Sequence, residues 1–124
     1  MSRQIDLNPI KEIERLRNTA SWSIEGFGQC WKEEKSLRQW AGLNAIGWLT
    51  LVFTEFSMAE TALLIALGVL TMVVELLNSA VEATVDYISC DRHPLAKKAK
   101  DIASAAVMMT GVLWGLCWIL IALS

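Results

Sequence analysis

The sequence predicts an all-α membrane protein with three transmembrane helices and one N-terminal amphipathic surface helix, folded as a single domain over residues 1–124. Hydrophobic residues make up 54% of the chain, which has six Trp and a mean hydropathy of +0.40. This composition is too apolar for an ordinary soluble domain of this size. Several apolar stretches are also long enough to cross a bilayer. Before these stretches, apolar residues recur with the period of an α-helix.

The surface helix is expected over about residues 9–27. Pro9 suits a first helical position, with Asn8 before it as the cap. Apolar residues then recur at spacings of three and four, while charged residues occupy the other face. This pattern is typical of a helix that lies in the membrane interface. We expect Gly26 and Gly28 to break the helix.

The three spans are expected at residues 37–56, 59–88 and 102–123. The first span is only moderately hydrophobic and contains Asn44, so part of its surface should face other helices. The second span is longer than the ~30 Å hydrocarbon core requires, and one end should therefore reach the interface or beyond it. Ser57 is a candidate cap for this second helix.

The distribution of basic residues predicts the orientation in the membrane. Every Lys and Arg lies in residues 1–38 or 92–100, whereas the connection at 54–60 and the C-terminus contain none. Because cytoplasmic segments carry an excess of Lys and Arg, the N-terminus and the 89–101 connection should be cytoplasmic. The C-terminus should then lie on the outer side.

A polar stripe runs along the second predicted span. At about 100° per residue, its members share roughly a third of the helix circumference: Glu75, Asn78, Ser79, Glu82 and Asp86. The stripe cannot face lipid, because each ionised group at the bilayer centre costs at least ~2.5–3.5 kcal/mol. It is either a seam that joins helices or an acidic site that binds a cation, relays protons or performs acid–base chemistry. The repeated carboxylates favour a site.

The depth of the carboxylates favours a particular chemistry. Glu82 and Asp86 fall near the cytoplasmic boundary, where carboxylates beside lysines suit Mg²⁺ held between protein oxygens and nucleotide phosphates. Glu75 lies about two turns deeper, which suits a general base. The pattern fits phosphoryl transfer from a water-soluble donor to a lipid hydroxyl. No Walker A motif or protein-kinase glycine-rich loop is present in the sequence.

Two motifs resemble those of the bacterial membrane diacylglycerol kinases. Residues Glu75–Asp86 are similar to the signature E-x-L-N-[ST]-A-[IV]-E-x-x-[VI]-D of that family. Residues Lys98–Val107 are similar to its second motif, A-K-D-x-x-[SA]-A-A-V. The approach to the first span also resembles the family's Trp-x-x-Glu-x-x-x-Arg-Gln pattern, at Trp31, Glu34, Arg38 and Gln39. The resemblance covers nearly the whole chain.

The resemblance implies a homotrimer in the bacterial inner membrane, with a periplasmic C-terminus. It implies transfer of the γ-phosphate of ATP to diacylglycerol, giving phosphatidic acid, with Mg²⁺ as cofactor and membrane lipids around the protein. By position, Glu75 matches the general base, and Glu34 and Glu82 match metal-binding acids. The matches to nucleotide-binding positions are Ala20, Ser23, Glu34, Glu82, Asp86, Lys100 and Asp101, and the matches to substrate-binding positions are Trp22, Asn78 and Ser104. We expect no nucleic-acid partner.

Three positions depart from the family pattern. Trp40 stands where relatives commonly carry Glu, Gly28 where they carry Arg, and Ile24 where they carry an aromatic residue. These departures bear on the adenine and lipid contacts rather than on phosphoryl transfer. An undecaprenol kinase of the same fold is an alternative. Two further alternatives are a non-catalytic helix-assembly protein and a small ion transporter.

Overall fold

A computed structural model describes residues 8–124, and this part of the chain is all-helical. It contains four helices: α1 (Pro9–Glu33), α2 (Lys35–Leu51), α3 (Met58–Ile88) and α4 (Pro94–Ala122). Helix α1 belongs to one compact unit, and α2, α3 and α4 form the other.

Helix α1 begins where the sequence predicts but ends later. The Asn8 side chain accepts a hydrogen bond of 3.0 Å from a backbone N–H of the first turn, which begins at Pro9. The helix continues through Gly26 and Gly28 to Glu33, so the predicted break at these glycines is wrong. Neither glycine adopts the left-handed conformation that ends many helices. Without such a cap, a glycine inside a helix costs only about 1 kcal/mol.

Helix α2 begins after a break in the helical backbone at Glu34, where φ is −97° and ψ is 110°. It ends at Leu51, before the predicted end of the first span at residue 56. The Thr54 hydroxyl donates a hydrogen bond of 3.1 Å to the carbonyl of Leu51 and satisfies a group left open by the helix end. The 17 residues of α2 extend about 25 Å along its axis.

Helices α3 and α4 are defined by strong N-terminal caps. Ser57 caps α3, as predicted, and forms a capping box with Glu60 in which each side chain bonds the other residue's backbone N–H. In α4, Pro94 stands in the first turn and the His93 ring accepts a hydrogen bond of 3.2 Å from the backbone N–H of Leu95. Both helices are long and apolar enough to cross a membrane.

Helix α3 packs against both α2 and α4. Its buried residues recur at spacings of three and four along one face: Leu64, Gly68, Thr71 and Glu75. Side chains from both neighbours bond to the backbone of this face. Trp114 of α4 donates to the carbonyl of Leu64 at 2.9 Å, and Asn44 of α2 donates to the carbonyl of Gly68 at 3.1 Å. Helices α2 and α4 therefore both form hydrogen bonds to this face of α3.

Two glycines allow large side chains to approach a helix backbone closely. A Cβ atom added at Gly68 would lie 2.2 Å from Asn44 Oδ1, and one added at Gly111 would lie 2.4 Å from the Trp40 ring. Real Cβ atoms essentially never show such distances. The Trp40 ring therefore packs against α4, where it also makes a tilted contact with Trp114 at a centroid separation of 6.4 Å.

Candidate active site

The predicted residues Glu75, Asn78 and Ser104 line one cavity of about 590 Å³ formed by α2, α3 and α4. Ser36 completes its polar wall. The remaining wall is formed by Gly111 and by apolar side chains, which are Trp40, Val107, Met108 and Val112. A cavity with a polar end and an apolar wall suits an amphiphilic molecule that brings a hydroxyl to a carboxylate.

Among the residues that the structure describes, Glu75 is the one ionisable residue that lines this cavity, and it is buried, with 4% of the residue exposed. The Ser36 hydroxyl donates a hydrogen bond to Glu75 Oε1 from the first turn of α2. The Ser79 hydroxyl donates to the backbone carbonyl of Glu75 at 3.2 Å and not to its carboxylate. Glu75 therefore faces α2 and not the outer surface of the helices.

Asn78 and Glu82 are joined by a side-chain hydrogen bond further along α3. Asn78 Nδ2 donates to Glu82 Oε1 at 3.1 Å, which fixes the amide orientation because the carboxylate can only accept. The Oδ1 atom of Asn78 is buried and accepts no hydrogen bond from residues 8–124. The amide nitrogen of Asn78 thus faces the Glu82 carboxylate, and the amide oxygen has no partner within residues 8–124.

The Glu82 carboxylate fits the ligand chemistry of Mg²⁺. The described part of the chain contains no group of three or more His, Cys, Asp or Glu residues arranged to hold a metal. Mg²⁺ does not require such a cage, since it is usually held by one or two carboxylates together with substrate phosphates and water. Glu34 occupies the cap position of α2, is half-buried, and makes no capping hydrogen bond through its side chain.

A salt bridge between Lys100 and Asp86 joins α4 to α3 at 2.6 Å. Both residues line a second cavity of about 660 Å³ beside the α3–α4 connection, together with Arg92, His93 and Lys97. Because both side chains are partly exposed, water screens the pair and its contribution to stability is small. The pair places a cation and an anion together in the lining of this cavity.

The other predicted positions lie on exposed surfaces. Asp101 pairs with Lys97 at 2.5 Å on the exposed face of α4. Ala20, Trp22 and Ser23 are exposed residues of α1, and the Ser23 hydroxyl donates to the carbonyl one turn earlier at 2.9 Å.

Ser36 is a residue of the site that the sequence motifs did not indicate. A signal was present, because Ser36, Trp40, Asn44 and Gly47 recur at helical spacing on α2. These four residues are half-buried or buried, whereas much of α2 is exposed. A stripe of Ser, Trp, Asn and Gly in a moderately hydrophobic helix thus indicates the face that contacts α3 and α4.

Comparison with known proteins identifies similar chains over the same region. A family model described as prokaryotic diacylglycerol kinase matches residues 21–122, which include all of α2, α3 and α4. A diacylglycerol kinase of Pseudomonas aeruginosa is 40% identical over 111 residues, covering 90% of each chain. One from Helicobacter pylori is 38% identical over 108 residues, covering 87% of this chain and 84% of the relative. One from Escherichia coli is 33% identical over 104 residues, covering 84% and 85%.

Proposed function

Because this chain belongs to the prokaryotic diacylglycerol kinase family and is therefore a kinase, we propose that it transfers the γ-phosphate of ATP to diacylglycerol. The product is phosphatidic acid. The observation that carries the proposal is the buried Glu75 carboxylate at the polar end of a cavity with an apolar wall. Diacylglycerol has one free hydroxyl beside two acyl chains, and this shape matches the two ends of the cavity.

Glu75 is the general base of the proposed reaction. Its carboxylate accepts the proton of the lipid hydroxyl as the hydroxyl oxygen forms a bond to the γ-phosphorus. The bond between the γ-phosphorus and the β–γ bridging oxygen breaks, and ADP leaves with that oxygen. Asn78, Ser104 and Trp22 are the proposed contacts to the lipid acceptor.

Glu82 and Glu34 are the proposed acids that hold Mg·ATP. The orientation of the Glu82 carboxylate supports this assignment, because Asn78 Nδ2 holds its Oε1 atom and carboxylate oxygens are hard ligands. Bound Mg²⁺ would neutralise negative charge on the β- and γ-phosphates. Further nucleotide contacts are assigned to the residues that match the family pattern: Ala20, Ser23, Asp86, Lys100 and Asp101.

We also propose that α2 is a third span and that the active protein is a homotrimer. Large apolar side chains are exposed on α2, with Ile46 64% exposed and Leu49 62% exposed, which suits lipid or subunit contact. The distribution of Lys and Arg supports a cytoplasmic N-terminus and a periplasmic C-terminus in the inner membrane. The site would then open towards cytoplasmic ATP.

An acceptor assay with the purified full chain tests this function. Release of ADP is measured with Mg·ATP and either diacylglycerol or undecaprenol. We expect turnover with diacylglycerol and at least ~100-fold less in E75Q, since general acid–base catalysis contributes about 10²–10⁴-fold. The matched control E55Q changes an exposed Glu in the α2–α3 connection and should keep the wild-type rate.

Three outcomes would contradict the proposal. Preference for undecaprenol would refute the acceptor assignment. Full activity of E75Q would refute the assignment of the base. Loss of the oligomer in E75Q, followed by size-exclusion chromatography with light scattering, would indicate that Glu75 only joins helices.

A further inference from the structure

We propose that Ser36 is a positioning residue, which orients the Glu75 carboxylate so that one of its oxygens faces the lipid hydroxyl. This inference rests on the proposed role of Glu75 as the base. Among the residues of the cavity wall, Ser36 is the one whose side chain bonds the carboxylate, by donation from Oγ to Oε1. The bond joins two helices across 39 residues of sequence.

The helical turn that carries Ser36 is firmly packed. It lies in the first turn of α2, and the next residue, Leu37, is fully buried with 0% exposure. Trp40 follows one turn later and is held against Gly111 and Trp114. A hydroxyl on this turn therefore has little freedom to follow the carboxylate if the carboxylate rotates.

The chemistry of the bond favours orientation. A hydroxyl that donates to a carboxylate forms a charge-assisted hydrogen bond, which is stronger and more directional than a bond between neutral groups. Because the bond engages Oε1, the other oxygen, Oε2, is the one we assign to the substrate proton. A base must lie within hydrogen-bond distance of the proton that it removes, and small errors in its orientation reduce the rate steeply.

Steady-state kinetics of two Ser36 variants test the proposal. S36A removes the donor, and we expect kcat to fall about tenfold or more, because a misplacement of about 1 Å can cost about a hundredfold in rate. The KM for ATP should stay within about twofold of the wild-type value, because the Ser36 side chain bonds Glu75, which is not a proposed nucleotide residue. S36T keeps a hydroxyl and should restore most of kcat.

T50A is the matched control on the same helix. The Thr50 hydroxyl is exposed and donates to the backbone carbonyl of Ile46 at 2.9 Å. Its removal should leave kcat unchanged. Thermal unfolding of each variant, followed by circular dichroism, separates a loss of rate from a loss of folded protein.

An infrared measurement reports the hydrogen bond without requiring turnover. The carboxylate band of Glu75 is isolated as the difference between wild type and E75Q, and S36A should shift this band while T50A should not. Wild-type kcat in S36A, failure of S36T to restore the rate, or an unshifted band would each overturn the role of Ser36.

The same experiments distinguish this inference from the proposed function. If wild type and S36A are equally active on diacylglycerol while E75Q is inactive, only the role of Ser36 is refuted. If wild type transfers no phosphate to diacylglycerol, the proposed function is refuted and the catalytic role of Ser36 with it. A shifted infrared band in that case would show the hydrogen bond between Ser36 and Glu75 but would not support a catalytic role.

Discussion

The close contact between Asn44 and Gly68 leads to a specific prediction about stability. Replacing Gly68 by Ala adds a methyl group 2.2 Å from Asn44 Oδ1 and 3.0 Å from the Trp114 ring. The Asn44 side chain must then move, and its hydrogen bond of 3.1 Å to the carbonyl of residue 68 is strained or lost. We expect G68A to destabilise the bundle of α2, α3 and α4.

Three terms set the size of this effect. Extra methylene groups in a packed core typically cost about 1–3 kcal/mol. Loss of one hydrogen bond adds about 1 kcal/mol. The better helix propensity of Ala offsets about 1 kcal/mol. The expected net loss is therefore about 1–3 kcal/mol in the free energy of unfolding.

The assay is equilibrium unfolding of the protein in mixed micelles, with tryptophan fluorescence and circular dichroism as independent probes. G115A is the matched control, because a Cβ at Gly115 would meet nothing within 4 Å. This control should be as stable as wild type or slightly more stable. In the N44A background G68A should cost less, since the shortest contact is absent. Equal stability of G68A and G115A would refute the reasoning.

Three further predictions concern the helix cap, the nucleotide site and the metal. S57A should lose the capping box with Glu60 and about 0.5–2 kcal/mol of stability in thermal unfolding; an unchanged midpoint would contradict this. K100M should raise the KM for ATP about tenfold or more in steady-state kinetics, because the ammonium held by Asp86 is a proposed phosphate contact. An unchanged KM would remove Lys100 from the nucleotide site. EDTA should abolish phosphate transfer and excess Mg²⁺ should restore it; activity in EDTA would exclude a required divalent cation.

Local signals in the sequence predicted the starts of α1 and α3 and the burial of Glu75. Ser57 followed three residues later by Glu60 is a capping box that depends on a few neighbouring residues. The burial of Glu75 follows from helix geometry and from the cost of a carboxylate in lipid. Both arguments need only one helix, and both features are present in the structure.

Features that depend on contacts between helices were not predictable in the same way. The bond from Ser36 to Glu75 spans 39 residues, and the bond from Trp114 to Leu64 spans 50. No local pattern specifies which side chain of α2 meets which residue of α3. The glycines of α1 are a poor guide to its end, because a glycine inside a helix costs only about 1 kcal/mol and does not by itself end the helix.

The close packing at Gly68 and the carboxylate at Glu75 belong to one face of α3, seven residues apart. Seven residues are two helical turns, or about 10 Å, so a methyl group added at Gly68 lies close to the site. Asn44 and Ser36 lie at corresponding positions on α2, where they bond these two residues. A methyl group that pushes Asn44 away from α3 should also draw Ser36 away from the carboxylate. G68A should therefore lower kcat even when rates are normalised to folded protein, whereas G115A should not. A normalised kcat equal to wild type would mean that the two contacts are mechanically independent.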